Sequence, residues 1–559
     1  MQLIECVPNF SEGNDMGIIR QITDEIAAVA GVRLLDVDAG KATNRTVVTM
    51  VGEPAAVIEA AFRAIKKAGE LINMRTHKGE HPRMGATDVC PLIPISGITM
   101  TETADWARQL AKRVGEELHI PAYCYEAAAY TPARQNLATI RAGEYEGFFE
   151  KIKQPEWQPD FGPAEFDARR GGTVIGARDF LVAYNVNLNT TSERRANSVA
   201  FDVREQGRVV REGDPVTGKI KLNEQGEQVR VAGKCKAVKG IGWYIAEYGI
   251  AQVSMNLTNI SVTPLHAAFE ACVESASARG MRVTGSELVG LVPLAVLLDA
   301  GRYFLHKQQR SAGVSEAELI KIAVKSMGLD ELTPFDPQQK VIEYLLHDTT
   351  RQPLVGMTLM GFADETASES PAPGGGSIAA YVGALGVSLA TMVANLSAHK
   401  RGWDDRWATF GEHAEQGQSL KKQLLALVDE DTHSFNAIME AFKLPKGAPE
   451  EKALRKAAIQ AATKYATEIP FKVMQLSLQS FALIEAMATT GNPNSVTDAG
   501  VGAICARAAV LGALLNVKIN ASGLDDTAFV TDILAKAEKI AAEANQCEAR
   551  IMATVNAKI

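Results

Sequence analysis

The apolar positions of this chain change period once. Through the first third they form short, β-rich runs at Leu3–Val7, Arg33–Asp38, Thr46–Val51 and Val89–Ile95. Between these runs, Ile18–Val29 and Ala55–Ile72 repeat apolar residues at helical spacing. The predicted order is βαββαβ, the ferredoxin-like unit. The same order recurs further on. A strand is expected over Phe180–Leu188, a helix over Ser192–Glu205 and strands over Gly242–Glu247 and Ala251–Leu257; a helix over Leu265–Arg279 and a strand over Val283–Leu288 follow. Two such units in tandem predict a duplicated α/β module with a cleft between its halves. Polar, turn-rich Arg211–Lys234 interrupts the second unit and reads as a surface hairpin excursion.

After about Leu346 the strand signals stop. Alanine-rich helical patterns follow over Gly376–Ala398, Trp403–Lys443, Glu450–Ile469, Phe471–Thr490, Val496–Leu515 and Thr527–Asn556. Pro470, Gly491 and Pro493 punctuate them, so a break is expected at Pro470. The fold class is therefore α/β plus all-α: two ferredoxin-like (βαββαβ) subdomains over residues 1–179 and 180–346, a polar linker over 347–354, and a helical bundle over 355–559. A chain of 559 residues has room for about three domains, which agrees.

Composition narrows the partners. Hydrophobic content of 46% with 22% charge is ordinary for globular protein, and each domain can bury a core. A formal charge of -8 argues against nucleic acid, whose phosphates need a basic surface. The seven cysteines, Cys6, Cys90, Cys124, Cys235, Cys272, Cys505 and Cys547, are scattered with no CxxC pair, which predicts reduced thiols in a cytoplasmic protein and no zinc site. The N-terminus shows no basic leader followed by an apolar stretch, so no signal peptide is expected. Ile378–Val393, the most apolar run, falls short of the roughly 20 residues of a membrane span and reads as a buried bundle helix.

Two segments carry candidate chemistry. The first, His77–Gly85, gathers two histidines, a glutamate and cations around residues that disfavour a helix. His77 and His81 are four apart, but Gly79 weakens a helix there and Pro82 ends it, so a shared metal-binding face is not expected. His81 beside Arg83 suits acid–base work on an anionic substrate, since imidazole titrates near neutrality and arginine grips carboxylates. A structural turn with solvated charges is the alternative. Asp36 and Asp38 close a strand, and alternation places both on one face, where Asp38 could orient His81 or neutralise its cation. A strand-end turn aspartate is the alternative there. Asn9, Asn44 and Arg45 are further candidates for the same cleft.

The second segment, Pro373-Gly374-Gly375-Gly376-Ser377, opens a helix whose free amides favour an anion or a polar heterocycle. Its glycines permit close approach to the backbone, and no lysine precedes the serine as in a Walker loop. The plain alternative is a tight helix start. Asp429, Asp431 and His433 share one helical pattern, with Asp429 and His433 on one face and Asp431 turned away from it. A solvated acidic face is the alternative.

Cys6-Val7-Pro8-Asn9-Phe10-Ser11-Glu12-Gly13, Leu35–Gly40, Thr43–Thr46, His77–Gly85, Pro159–Pro163, Lys239–Tyr244 and Gly285–Pro293 together resemble the glutamate formimidoyltransferase family. Ala372–Ser377 and Leu427-Val428-Asp429-Glu430-Asp431 resemble the cyclodeaminase family. The resemblance runs through nearly the whole chain, in the order of the bifunctional proteins. It implies that a formimino group passes from N-formimino-L-glutamate to (poly)glutamylated tetrahydrofolate, and that the product then closes to 5,10-methenyltetrahydrofolate with loss of ammonia. It assigns His81 as the transferase's catalytic histidine and Asp431 as the cyclodeaminase's catalytic aspartate. It aligns Gly162, Pro163, Ala164, Glu165, Phe166, Asp167, Ala168, Arg169, Arg170 and Gly171 with the family's folate-binding segment, although Asp167-Ala168-Arg169-Arg170 departs from the pattern. Gly374, Gly375, Gly376 and Ser377 then help form the second folate site. Charge matching adds Arg83 and Arg45 as holders of substrate carboxylates. Tetrahydrofolate enters as a co-substrate, no metal is expected, and the family implies a homo-oligomer. The Arg211–Lys234 excursion is longer than the family usually has.

Overall fold

The computed structural model describes residues 2–40, 44–79, 82–213, 218–346 and 353–559. They fall into two compact units: Met1–Pro293 with Gly328–Leu346, and Leu294–Met327 with His347–Ile559. Most of the expected linker, residues 347–352, lies outside the described residues.

The first unit opens with β1 (Leu3–Cys6), β2 (Asn9–Phe10), α1 (Met16–Ala27), β3 (Val32–Gly40), β4 (Arg45–Gly52), α2 (Pro54–Leu71) and β5 (Thr87–Ser96). β3, β4, β1 and β5 pair antiparallel in that spatial order, and β2 continues the line of β1 between β4 and β5. The chain then adds α3 (Met100–Leu118), β6 (Ala122–Glu126), α4 (Leu137–Arg141), α5 (Glu144–Lys151) and β7 (Thr173–Ala177). β7 pairs parallel with β5 and β6 parallel with β7, which extends the sheet by two strands that the apolar pattern did not predict. The reason is burial on both faces. All five residues of β7 are buried, so no alternation marks it.

A second sheet follows from β8 (Val182–Leu188), α6 (Glu193–Val203), four two-residue strands β9 (Arg208–Val209), β10 (Arg211–Glu212), β11 (Lys219–Ile220) and β12 (Arg230–Val231), and then β13 (Val238–Ile245), β14 (Ile250–Leu257), α7 (Leu265–Ser277) and β15 (Val283–Val289). Its order is β13-β14-β8-β15, every pair antiparallel. β9 pairs with β12 and β10 with β11, so the polar excursion is a ribbon, as its turn-rich sequence predicts. α8 (Leu294–Lys307) and α9 (Glu316–Met327) lie inside the range expected for the second subdomain but belong to the helical unit, whereas α10 (Pro337–Lys340) and α11 (Ile342–Leu346) return to the first.

The helical unit continues with α12 (Leu359–Thr366), α13 (Gly375–Ala398), α14 (Trp407–Lys443), α15 (Pro449–Thr490), α16 (Val496–Ala521) and α17 (Thr527–Asn556) around one alanine-rich core. The break expected at Pro470 does not occur: α15 runs through it for 42 residues. Proline has no N–H for the carbonyl four residues back. Here Asn520 of α16 donates its Nδ2 to that carbonyl, Ala466 O, at 2.7 Å. A neighbouring helix thus supplies the missing donor.

By length and composition Gly375–Ala398 and Pro493–Ala521 are apolar enough to cross a membrane, each with mean hydropathy 1.7, but 61% and 50% of those windows are buried inside the bundle. Small residues set how closely the two helices approach. A Cβ at Gly386 would stand 2.9 Å from Gly502 O, and one at Gly502 the same distance from Gly386 O. Gly386→Val should therefore force α13 and α16 apart and destabilise the bundle by about 1–3 kcal/mol. Thermal unfolding of the full chain checks this; an unchanged Tm would refute the close approach.

Candidate active sites

Alternation gives the two faces of the first sheet different environments. Ile4, Cys6, Val48, Met50, Cys90 and Leu92 enter the apolar core with α1 and α2. Their neighbours Glu5, Arg45, Val47, Thr49, Val89 and Pro91 line a cavity of about 480 Å³ on the other face. Asp36 and Asp38 line it too, on one face as their spacing predicts. Ala183, Asn256 and Val289 to Leu291, from the second sheet and its following turn, form the opposite wall.

The cavity mixes fixed cations with carboxyls. Arg45, Arg141 and Arg178 face Glu5, Asp36 and Asp38. Glu5 is only 3% exposed. Burial pushes its carboxyl up to about 7, with the positive charge of Arg178 opposing. Burial, and then the negative charge of Asp38, raise Asp36. Behind the wall Asp88 is bonded to Arg141 and accepts from Met84 N at 3.1 Å. Burial pushes Asp88 up against the pull of both Arg141 and Arg45. Burial lowers Arg45 to about 10, which leaves it cationic at neutral pH, and its guanidinium bonds Asn9 Oδ1. Such a cleft can hold carboxylates and keep a carboxyl proton at neutrality. Glu5, Arg141 and Arg178 were absent from the sequence-based candidates. For Glu5 the signal was there: a carboxylate inside the apolar run Leu3–Val7.

His81 and Glu80 lie outside the described residues, but the loop around them is anchored. His77 Nε2 meets Asn44 O at 3.0 Å, and Arg83 Nε donates to His77 Nδ1 at 3.2 Å. Those two bonds assign the Nε2–H tautomer, so His77 is a bridge in the scaffold. Asn44 also donates to Lys78 O at 2.8 Å and accepts from Gly13 N at 2.9 Å, tying three segments together. Arg83 does not line the cavity. Its buried guanidinium grips Glu146 at 2.7 and 3.1 Å and reaches Glu144 at 3.3 Å, so own-chain carboxylates occupy the fork expected to hold substrate. Arg45 and Asp38 do line the cavity.

None of Gly162, Pro163, Ala164, Glu165, Phe166, Asp167, Ala168, Arg169, Arg170 or Gly171 lines it either. Asp167 Oδ1 accepts from the amides of Arg169 and Arg170 at 2.9 and 3.0 Å. Arg170 bonds Asp167 and, at 2.7 Å, Leu118 O, while Arg169 reaches Glu70 O at 2.6 Å. The Phe166 ring packs edge-on against Phe148 and Phe149. Gly162 and Gly171 hold φ of 86° and 69°, the left-handed region that glycine adopts without strain. Their bonds make this stretch a latched turn.

In the helical unit, three successive acids of α14 meet three environments. Asp429 is 2% exposed and accepts from the amides of Leu354 and Val355 at 2.8 and 3.2 Å, pinning the entering chain. Glu430 bonds Tyr465 Oη and lies 3.6 Å from His433 Nδ1. Asp431 turns to the start of α13, where Ser377 Oγ donates to its Oδ2 at 3.0 Å. A Cβ at Gly376 would stand 2.1 Å from Asp431 Oδ1, so only glycine lets the carboxyl seat there. Burial raises the Asp431 pKa against two hydrogen bonds from Ser377. Gly374 caps α13, and Gly375 lies beside the Asn516 side chain. The structure therefore brings the glycine loop and Asp431 together, whereas Asp429 and His433 have other partners.

The Glu5 shift gives a signed expectation. Its carboxyl stays neutral in the folded chain up to about pH 7, whereas in the unfolded chain it ionises near the ordinary carboxylate value. Its contribution to stability is thus present at low pH and lost as pH rises through about 7. Glu5→Gln stays neutral throughout, so the Tm of the variant minus that of the parent should grow between about pH 5 and pH 8. A pH-independent difference would contradict the buried, neutral carboxyl.

Comparison with known proteins covers both units. The Formiminotransferase domain, N-terminal subdomain, matches residues 3–178, the Formiminotransferase domain 183–347, and Formiminotransferase-cyclodeaminase 358–539. The Formimidoyltransferase-cyclodeaminase of Mus musculus is 43% identical over 558 residues, covering 100% of this chain and 99% of that protein. The Glutamate formimidoyltransferase of Thermoplasma acidophilum is 41% identical over 307 residues, 55% of this chain and 93% of its own. The Methenyltetrahydrofolate cyclohydrolase of Methylorubrum extorquens is 40% identical over 202 residues, 36% of this chain and 97% of its own. An identity of 43% sustained through the α/β and the helical units means that the chain belongs to the formimidoyltransferase-cyclodeaminase family.

Proposed function

We propose that the chain is a bifunctional folate enzyme of histidine degradation. It transfers the formimino group from N-formimino-L-glutamate to tetrahydrofolate, giving 5-formiminotetrahydrofolate and glutamate. It then cyclises that product to 5,10-methenyltetrahydrofolate and releases ammonia. The observation that carries the reading is the pairing on one chain of a charge-lined α/β cleft with a buried carboxyl at a glycine-rich helix start.

In the first step the 5-nitrogen of tetrahydrofolate attacks the amidine carbon and loses a proton. The bond from that carbon to the glutamate nitrogen breaks, and this nitrogen gains a proton. His81, near neutrality by type, performs both transfers in turn, with Asp38 orienting it or balancing its cation. Arg45, with Arg141 and Arg178, offers cations to the substrate carboxylates. In the second step the 10-nitrogen attacks the formimino carbon and the former imino nitrogen leaves as ammonia. That leaving group must be protonated, and the raised pKa of Asp431 supports its role as donor. Gly374, Gly375, Gly376 and Ser377 then present helix amides to the folate.

The βαββαβ order of each half and the β13-β14-β8-β15 arrangement support a ferredoxin-like reading of both subdomains. The free state of all seven cysteines supports a reducing, cytoplasmic setting. Leu515 and Ile519, one turn apart on α16 and each 68% exposed, support assembly into a homo-oligomer. Replacing both with aspartate should lower the sedimenting mass of the full chain if they are covered by a second copy; an unchanged mass would exclude that face.

Incubation with formiminoglutamate and tetrahydrofolate tests the function directly. Methenyltetrahydrofolate and ammonia are expected; formiminotetrahydrofolate alone would favour cyclohydrolase chemistry in the helical half, the reading to which the Methylorubrum relative points. His81→Ala should abolish transfer while cyclodeamination of supplied 5-formiminotetrahydrofolate persists. Asp431→Asn should do the reverse. Retained transfer in the first variant or normal ammonia release in the second would remove that residue from the mechanism.

A further inference from the structure

The ribbon built from the polar excursion forms one wall of a second cavity, which shares no lining residue with the first. This cavity, of about 750 Å³, is lined by α6 and by the ribbon strands, and its lining carries five arginines: Arg194, Arg204, Arg208, Arg211 and Arg230. Among the described residues that line it, Glu193 is the one carboxylate and none is a lysine.

Part of this charge is structural. Arg208 pairs with Asp202, which also holds Arg279, so one carboxylate serves two guanidiniums. Arg211 donates to Gly218 O at 2.7 Å and Arg230 to Gln228 Oε1 at 3.1 Å. Arg204 donates to Gly207 O and Gly240 O at 3.2 Å each and lies over the Phe201 ring. These partners are neutral, and each bond uses one or two of the five donors a guanidinium carries. Burial, and then the positive charge of Arg230, push the Arg204 pKa down. On a chain whose net charge is -8, folding has gathered like charges where an ordinary surface would disperse them.

We propose that this cavity is a binding site for a compact polyanion carrying three or more negative charges, as phosphate or carboxylate groups, held by Arg194, Arg204, Arg211 and Arg230. Planar guanidinium forks suit both oxyanion types bidentately, and an ordered array of them selects a multivalent ligand over a single phosphate. Anion charge would relieve the repulsion between Arg204 and Arg230 and rigidify the ribbon. None of these arginines lines the α/β cleft.

Calorimetric titration of the full chain at about 0.15 M salt, where non-specific attraction is screened, tests it. Inorganic tripolyphosphate and citrate serve as probes. Saturable binding of either one supports the proposal and names the source of the charges, phosphate or carboxylate. The double change Arg194→Gln with Arg230→Gln, both at exposed positions, should weaken that binding by roughly tenfold or more while both folate activities stay at the parent level. No saturable binding of either probe, or equal affinity in the double variant, overturns it.

Discussion

The α/β unit depends on the two-residue period of four antiparallel strands. Because successive side chains of β1, β3, β4 and β5 point to opposite faces, the same short segments supply a dry core on one side and a charged cavity on the other. Glu5 sits between Ile4 and Cys6, and both of its neighbours are fully buried. A register slip of one residue would put the carboxyl in the core and a methyl-rich side chain in the cleft. The electrostatics follow from that geometry. Removing carboxyls and guanidiniums from water disfavours their charged forms, which is why Glu5 and Asp88 shift up and Arg45 shifts down in one neighbourhood.

In the helical unit the corresponding constraint is distance. Alanine and glycine at the contacts let α13 approach α16 and α14 closely, and one of these approaches seats a carboxyl. Asp431 can seat at the start of α13 only because residue 376 lacks a Cβ. Packing also redeems a local conflict. Pro470 ought to break α15, yet the helix continues because the Asn520 amide from α16 satisfies the Ala466 carbonyl. Buried backbone acceptors need partners, and here the partner comes from tertiary structure.

Residues of one type are held in different ways. His77 uses both ring nitrogens to bridge Asn44 and Arg83, and Asp429 uses both carboxylate oxygens to hold the chain entering the bundle. Arg83 and Arg45 differ in the same way: one is saturated by Glu146 and Glu144, the other lines the cleft. Joining both activities on one chain raises the effective concentration of the intermediate near the second site.

Much of the architecture was legible from periodicity alone. Both βαββαβ series, the ribbon and the start of α13 came from local pattern, because alternation and helical spacing are imposed by the backbone whatever surrounds it. The face shared by Asp36 and Asp38 followed from the same rule. Parallel β7 escaped because burial on both faces erases alternation. The uninterrupted α15 escaped because its supporting donor lies 54 residues away from Ala466. Family motifs, not spacing, singled out Asp431 from Asp429. Only the tertiary structure decided which charged side chains face a cavity and which are held by their own chain, since identical residues in similar local sequence differ solely in what packs against them. Local sequence determines direction and period; long-range contacts determine solvation, and with it the charge that each group can carry.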